Sequence, residues 1–123
     1  MGGRMNWLAG EAKRFSNTVR WSWHGWRAAW STEKSLRQWA LVNVLSAAVA
    51  LWLPLTAGER ALILGLGLLI LVAELVNTAI EEVVDAIFPG IDPRAKRAKD
   101  CGSAAVALTA LAGGVAWVVV LAV

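Results

Sequence analysis

The chain has no tyrosine, one cysteine and one histidine among its 123 residues. The single Cys101 excludes an internal disulfide, and His24 alone is too little for a histidine-based triad or a zinc site. The P-loop and protein-kinase motifs are missing as well, so a nucleotide-dependent enzyme with this sequence would be of an unusual kind. The net charge of +3 is too small to indicate a nucleic-acid partner.

Apolar residues make up 58% of the sequence, and the mean hydropathy of +0.56 exceeds that of a typical soluble domain. They form long uncharged runs, which predict an all-α membrane protein with a single domain, residues 1–123. We expect spans over residues 39–57, 60–88 and 103–123, with a basic loop at 91–100. The second helix exceeds what a bilayer core of about 30 Å requires, so its last third should reach the membrane surface.

Residues 1–38 mix tryptophan with arginine and lysine, a combination typical of the lipid headgroup region. We predict an interfacial amphipathic segment of one or two helices, which Ser16, Asn17 and Thr18 could interrupt or cap. This segment has seven lysines and arginines, the first connection one and the second connection four. The positive-inside rule then places the N-terminus and the second connection in the cytoplasm.

Polar side chains cover one face of the second predicted helix, directly after an uncharged run at residues 61–73. At about 100° per residue they fall within about 100° of one another. They are Glu74, Asn77, Thr78, Glu81 and Asp85. Because ionisable groups near membrane depth are costly, they usually face a protein interior and mark a site.

Further charged residues share the predicted depth of this face. Glu33 precedes the first span, and Lys99 and Asp100 precede the third. Carboxylates on two elements could hold Mg²⁺ together with phosphate oxygens, and a lysine could neutralise a transferring phosphoryl group. Glu74, the deeper carboxylate, could deprotonate an alcohol that arrives through the membrane.

The same residues also have structural interpretations. Glu81, Glu82 and Asp85 fit a solvated helix end. Asp100 and Ser103 fit a helix cap. Asn77 fits an interhelical hydrogen bond. The spacing alone therefore predicts a polar site at the cytoplasmic face of a three-span bundle, and kinase chemistry does not follow from it.

Three stretches carry a resemblance to a known family. They are W-R-A-A-W-S-T-E-K-S-L-R-Q at 26–38, E-L-V-N-T-A-I-E-E-V-V-D at 74–85 and R-A-K-D-C-G-S-A-A-V at 97–106. From about Arg14 onward the chain resembles the bacterial integral-membrane diacylglycerol kinases, a family that includes the undecaprenol kinases. The resemblance implies a surface amphipathic helix plus three transmembrane helices, in a homotrimer of the bacterial inner membrane with shared active sites. It also implies transfer of the γ-phosphoryl group of ATP to a lipid alcohol, with Mg²⁺ as cofactor.

The resemblance implies roles for individual residues. Glu74 takes the position of the general base, and Glu33 and Glu81 take those of the metal ligands. The implied ATP-binding residues are Arg14, Trp21, Glu33, Glu81, Gly90, Ile91, Asp92, Lys99 and Asp100. The implied lipid-binding residues are Trp23, Arg27, Trp30, Ser35, Gln38, Glu74, Asn77 and Ser103.

Two positions depart from the family pattern. Trp21 stands where a tyrosine is common, and Gly90-Ile91-Asp92 replaces a segment that often contains Tyr-His. A carboxylate such as Asp92 would be unfavourable near phosphates. The string C-G-S-A-A-V resembles the diacylglycerol-specific branch, which favours diacylglycerol over undecaprenol as acceptor.

Two functions outside this family are also compatible with the composition. A non-enzymatic assembly protein would use the carboxylates only to bind partner helices, and would keep its function in a Glu74→Gln variant. A cation transporter would need polar residues along a whole pathway. The first span offers only Asn43 and Ser46, which argues against transport.

Overall fold

Residues 2–123 are described by the computed structural model, and they form four helices and no strand. The helices are α1 (Gly2–Thr32), α2 (Lys34–Trp52), α3 (Ala57–Ile87) and α4 (Pro93–Ala122). The predicted all-α class is therefore confirmed. The chain divides into two compact units, of which the first ends at Thr32 and the second is Glu33–Val123.

The first unit is one continuous helix. The prediction that Ser16, Asn17 and Thr18 could interrupt it is wrong, because the Thr18 hydroxyl donates to the Arg14 carbonyl oxygen at 3.0 Å within the helix. A threonine that bonds the carbonyl four residues back is compatible with a helix interior. α1 ends at Thr32 and α2 begins at Lys34, so residues 34–38 of the predicted interfacial segment form the first turns of α2.

The first two predicted spans are helices with shifted ends. α2 covers Lys34–Trp52 rather than 39–57, because Leu53 has extended backbone (φ −73°, ψ 151°) before Pro54. α3 covers Ala57–Ile87 rather than 60–88. It begins earlier because the hydroxyl of Thr56 accepts from the Glu59 N–H at 3.2 Å and caps the helix.

The largest correction concerns the segment 91–100, which is not a loop. α4 begins at Pro93, and its N-cap is Asp92, whose side chain accepts from the Arg94 N–H at 2.8 Å. Asp100 and Ser103 therefore lie inside the helix and do not cap it. The physical reason is that Asp-Pro is a strong helix start, and the charged residues that follow are good helix formers.

Two helices, α3 and α4, are long and apolar enough to cross a membrane. Their most apolar stretches have mean hydropathies of 2.2 and 2.3, and only 17% and 11% of those stretches is buried within the chain. α2 is not among them, because its first turns carry Lys34, Arg37 and Gln38, so the first span stays a prediction. With 31 residues α3 is about 46 Å long, longer than a bilayer core.

The core of the second unit lies where its three helices meet. Ala50 of α2, Ile63 of α3 and Ala116 of α4 form a buried cluster. Next to it the Trp117 indole N–H donates to the Ser46 hydroxyl at 2.9 Å, which joins α4 to α2. α3 contacts both of the other helices, so its polar face can meet residues from either side.

Arg60 closes the turn between α2 and α3. Its Nε donates to the Ala50 carbonyl oxygen at 3.0 Å, and its Nη2 donates to the Leu53 carbonyl oxygen at 2.8 Å. In a continuing helix the Ala50 carbonyl would bond the N–H of residue 54, but Pro54 has none. The guanidinium thus supplies a donor that the backbone lacks.

We expect Arg60→Met to destabilise the protein by about 1.5–3 kcal/mol, the usual contribution of hydrogen bonds to a charged donor. The half-life of thermal inactivation in detergent should shorten, while activity before heating stays unchanged. Arg97→Met, which removes an exposed arginine of α4, is the matched control. Equal half-lives for the Arg60 variant and the wild type would contradict this role.

Candidate active site

Glu74 is a carboxylate buried inside the second unit. It is 4% exposed, and its Oε2 accepts a hydrogen bond from the Ser35 hydroxyl at 3.0 Å. Ser35 reaches it because α2 begins at Lys34, so that Ser35 is in the first helical turn, next to the fully buried Leu36. A buried charge is costly unless hydrogen-bonded, and this contact lowers that cost. The structure therefore places Ser35, a predicted lipid contact, in hydrogen-bond contact with Glu74, the predicted general base.

The polar face continues along α3 toward its C-terminal end. Asn77 Nδ2 donates to Glu81 Oε1 at 3.4 Å, a long hydrogen bond, and the Thr78 hydroxyl donates to the Glu74 carbonyl oxygen at 3.0 Å. Asn77 Oδ1 is buried and has no hydrogen-bond partner among residues 2–123. Glu74 is buried and Glu81 is half-buried, so the carboxylate nearer the C-terminal end of α3 is the more exposed of the two.

α4 brings Lys99 to the same face. The Lys99 ammonium forms an ion pair with Asp85 Oδ1 at the end of α3. Asp100, by contrast, pairs with Lys96 on the exposed side of α4, and Ser103 is exposed. Of Lys99, Asp100 and Ser103, which were predicted near the start of the third span, Lys99 is the one that forms an ion pair with the polar face of α3.

The connection between α3 and α4 is built around Asp92. Its carboxylate pairs with the Arg94 guanidinium at 2.9 Å, and that guanidinium lies 5.0 Å from the centre of the Phe88 ring. The hydrogen bonds from Arg94 hold the pKa of the Asp92 carboxyl below its ordinary value. The cap therefore stabilises α4 fully at pH values above the ordinary pKa of an aspartate. This stabilisation is lost as the pH falls through the lowered pKa of Asp92. Gly90 and Ile91 are exposed.

α1 carries the predicted residues Arg14, Trp21, Trp23, Arg27 and Trp30. Arg14 is exposed and pairs with Glu11 at 3.1 Å, and Trp21 is exposed. A groove of about 690 Å³ runs along the last turns of the helix. Its lining is Trp23, Trp26, Arg27, Ala28, Trp30 and Ser31, with Trp26 and Trp30 stacked at 5.7 Å. Three predicted lipid contacts, Trp23, Arg27 and Trp30, therefore line one groove. Its combination of indole rings and a guanidinium fits an amphipathic ligand.

The two predicted metal ligands are carboxylates, whose oxygens are the ligands that Mg²⁺ prefers. Glu33 is half-buried before α2 and makes no capping hydrogen bond, and Glu81 is half-buried on α3. Within residues 2–123 no three His, Cys, Asp or Glu side chains form a metal-binding group by themselves. Mg²⁺ usually takes one or two protein carboxylates, with substrate phosphates and water supplying the rest, and this donor set matches that habit.

Sequence reasoning missed one residue and one hydrogen bond that shape this site. Gly102 lets α4 approach the Asn77 amide, because a Cβ there would overlap Asn77 Oδ1. The Ser35–Glu74 hydrogen bond was also missed, although Ser35 was predicted as a lipid contact. The signal for Gly102 was its place as a lone glycine in a helical run, a position that usually has a packing reason.

Comparison with known proteins shows which family the sequence of this chain matches. Residues 20–121 match the family described as Prokaryotic diacylglycerol kinase. The chain is 43% identical over 111 residues to a diacylglycerol kinase of Pseudomonas aeruginosa, covering 89% of each protein. It is 36% identical over 108 residues to one of Escherichia coli strain K12, covering 88% of each. A diacylglycerol kinase of Helicobacter pylori is 33% identical over 93 residues, 76% of this chain and 73% of that protein.

Proposed function

The chain belongs to the prokaryotic diacylglycerol kinase family and is a kinase, and on that premise we propose that it phosphorylates diacylglycerol. The γ-phosphoryl group of ATP would pass to the free hydroxyl of the lipid and give phosphatidic acid. The observation that carries this proposal is the buried Glu74 carboxylate held by the Ser35 hydroxyl at 3.0 Å. A hydrogen-bonded carboxylate on an otherwise apolar stretch of helix is placed to meet a hydroxyl that arrives from the lipid.

Glu74 acts as the general base. Its carboxylate takes the proton of the lipid hydroxyl as that oxygen bonds to the γ-phosphorus, and the bond from the γ-phosphorus to the bridging oxygen breaks to release ADP. An ionised carboxylate has about four lone-pair sites, so the bond from Ser35 leaves others for the substrate. The role of Ser35 is to fix the orientation of the base.

The nucleotide end of the site is assigned to Glu33, Glu81 and Lys99. The two carboxylates would hold Mg²⁺, which when bound neutralises charge on the phosphates of ATP. Lys99 supplies a positive charge for the transferring group, and its ion pair with Asp85 restricts the side chain. The polar face of α3 supports this division, because Glu81 is nearer than Glu74 to the exposed end of the helix.

We further propose a homotrimer in the bacterial cytoplasmic membrane, with α2 as the third span and active sites shared between subunits. The 19 residues of α2 extend about 28 Å, close to the thickness of the bilayer core. Large apolar side chains of α3 and α4 are more than half exposed, among them Leu68 and Val118, and require lipid or a neighbouring subunit. The basic first turns of α4 and the basic α1 support a cytoplasmic location for both.

The test is phosphoryl transfer by the purified protein in mixed micelles with Mg²⁺-ATP, using diacylglycerol and undecaprenol in parallel. We expect phosphatidic acid to form, to stop on addition of EDTA and to resume when Mg²⁺ is restored. Transfer to undecaprenol alone would contradict diacylglycerol as the acceptor and would leave the proposed mechanism of phosphoryl transfer unchanged. No transfer to either lipid by folded protein would overturn the kinase assignment for this chain and favour an assembly protein.

A further inference from the structure

Two asparagine side chains pack against glycines of the next helix. Asn43 of α2 lies against Gly67 of α3, and Asn77 of α3 lies against Gly102 of α4. A Cβ built on either glycine would overlap the Oδ1 atom of its asparagine and lie 3.2 or 3.3 Å from the Cγ atom. Both glycines are needed for space, since neither has a backbone conformation that excludes other residues.

The orientation of the Asn77 amide is set by its neighbours. The NH₂ group of Asn77 faces Glu81, because it donates to the Glu81 Oε1 atom at 3.4 Å. The Oδ1 atom then faces Gly102, where it is buried without a conventional donor among the described residues. A glycine Cα–H group is a weak donor that can lie against such an oxygen at a helix contact.

We propose that Gly102 is a positioning residue for Glu81 and acts through Asn77. This inference rests on the proposed function, in which Glu81 is a metal ligand. A methyl group at position 102 would also lie 3.5 Å from Ile80 Cδ1, an ordinary contact, so the group that must move is the Asn77 amide. Once the amide is displaced, it no longer orients the Glu81 carboxylate. Metal binding must then order that carboxylate, and the free energy this costs weakens metal binding.

The Asn43–Gly67 contact provides a matched control within the same protein. The Asn43 amide donates to the Trp39 carbonyl oxygen at 3.0 Å, inside its own helix. Gly67→Ala and Gly102→Ala therefore create the same overlap, but only the second displaces an amide that holds a carboxylate. A purely structural role would give both variants the same behaviour.

The experiment titrates Mn²⁺ into the full-length protein in detergent with a non-hydrolysable ATP analogue, and follows free Mn²⁺ by electron paramagnetic resonance. The Mg²⁺ dependence of lipid phosphorylation is measured in parallel. We expect Gly102→Ala to weaken Mn²⁺ binding, and to raise the Mg²⁺ concentration for half-maximal rate, on the order of tenfold. Gly67→Ala should shorten the half-life of thermal inactivation and leave both metal values within about twofold of the wild type.

Mn²⁺ binding by Gly102→Ala equal to that of the wild type would overturn the inference. Asn77→Ala, which creates no overlap, keeps the test available if Gly102→Ala does not fold. It should weaken Mn²⁺ binding by a similar factor, and adding Gly102→Ala to it should weaken binding no further, because the two act through one contact. Unchanged binding in Asn77→Ala would equally overturn it. Absence of lipid phosphorylation by the wild type would instead refute the proposed function, and the Mn²⁺ titration would still decide the role of Gly102.

Discussion

Glu74→Gln should abolish phosphorylation of diacylglycerol while the protein stays folded. Glutamine has nearly the same shape, and its side-chain oxygen can still accept from Ser35, which now donates to Glu74 at 3.0 Å. The neutral amide cannot take a proton from the lipid hydroxyl. General-base catalysis contributes about 10²- to 10⁴-fold, so kcat should fall by at least about 10². The measurement is ADP release coupled to phosphatidic acid formation, with helicity and size-exclusion profile checked on the same sample.

Glu82→Gln is the matched control for this prediction. Glu82 is an exposed carboxylate on the same helix, and its substitution makes the same change in charge. Its kcat should stay within about twofold of the wild type, as for surface changes that touch no special feature. Retained activity in Glu74→Gln would contradict the base assignment. An equal loss in both variants would show that the charge of α3, rather than one carboxylate, is responsible.

Lys99→Met should reduce kcat by about 10²- to 10³-fold, the usual cost of removing one group that stabilises charge in the transition state. The ion pair with Asp85 places the Lys99 ammonium at the polar face of α3, although the two residues belong to different helices. Methionine keeps the length and apolar stem of lysine, so packing should change little. Asp85→Asn should have a smaller effect, because that substitution leaves the positive charge and removes only its restraint.

Arg97→Met controls for the overall charge of the first turns of α4. Arg97 is exposed and lies two positions from Lys99 on the same helix. Its substitution should leave kcat within about twofold of the wild type. A loss equal to that of Lys99→Met would indicate a general electrostatic effect on ATP and contradict a specific role for Lys99. Rates at several ATP concentrations would separate the two, since a general effect raises KM and leaves kcat.

The helical content, the apolar α3 and α4, and the polar face of α3 could all be predicted from local patterns. The i, i+3, i+4 spacing from Glu74 to Asp85 needs only the pitch of a helix to place these residues on one side. The start of α4 was missed although its signal is local. The Asp92-Pro93 pair initiates a helix, whereas the basic residues after it resemble a membrane-flanking loop, so capping and composition indicate different structures for this segment.

The sequence by itself determined which residues carry charge, how far apart they lie along α3 and which motifs identify the family. Tertiary structure alone decided which of them meet. Ser35 and Glu74 are 39 positions apart, and Gly102 meets Asn77 only because α4 packs closely on α3. Arg60 bonds the Ala50 carbonyl, which Pro54 leaves without a backbone donor, only because the chain turns back there. Local spacing sets a face within one helix, but contacts between helices depend on how each pair packs, and no local pattern specifies that packing.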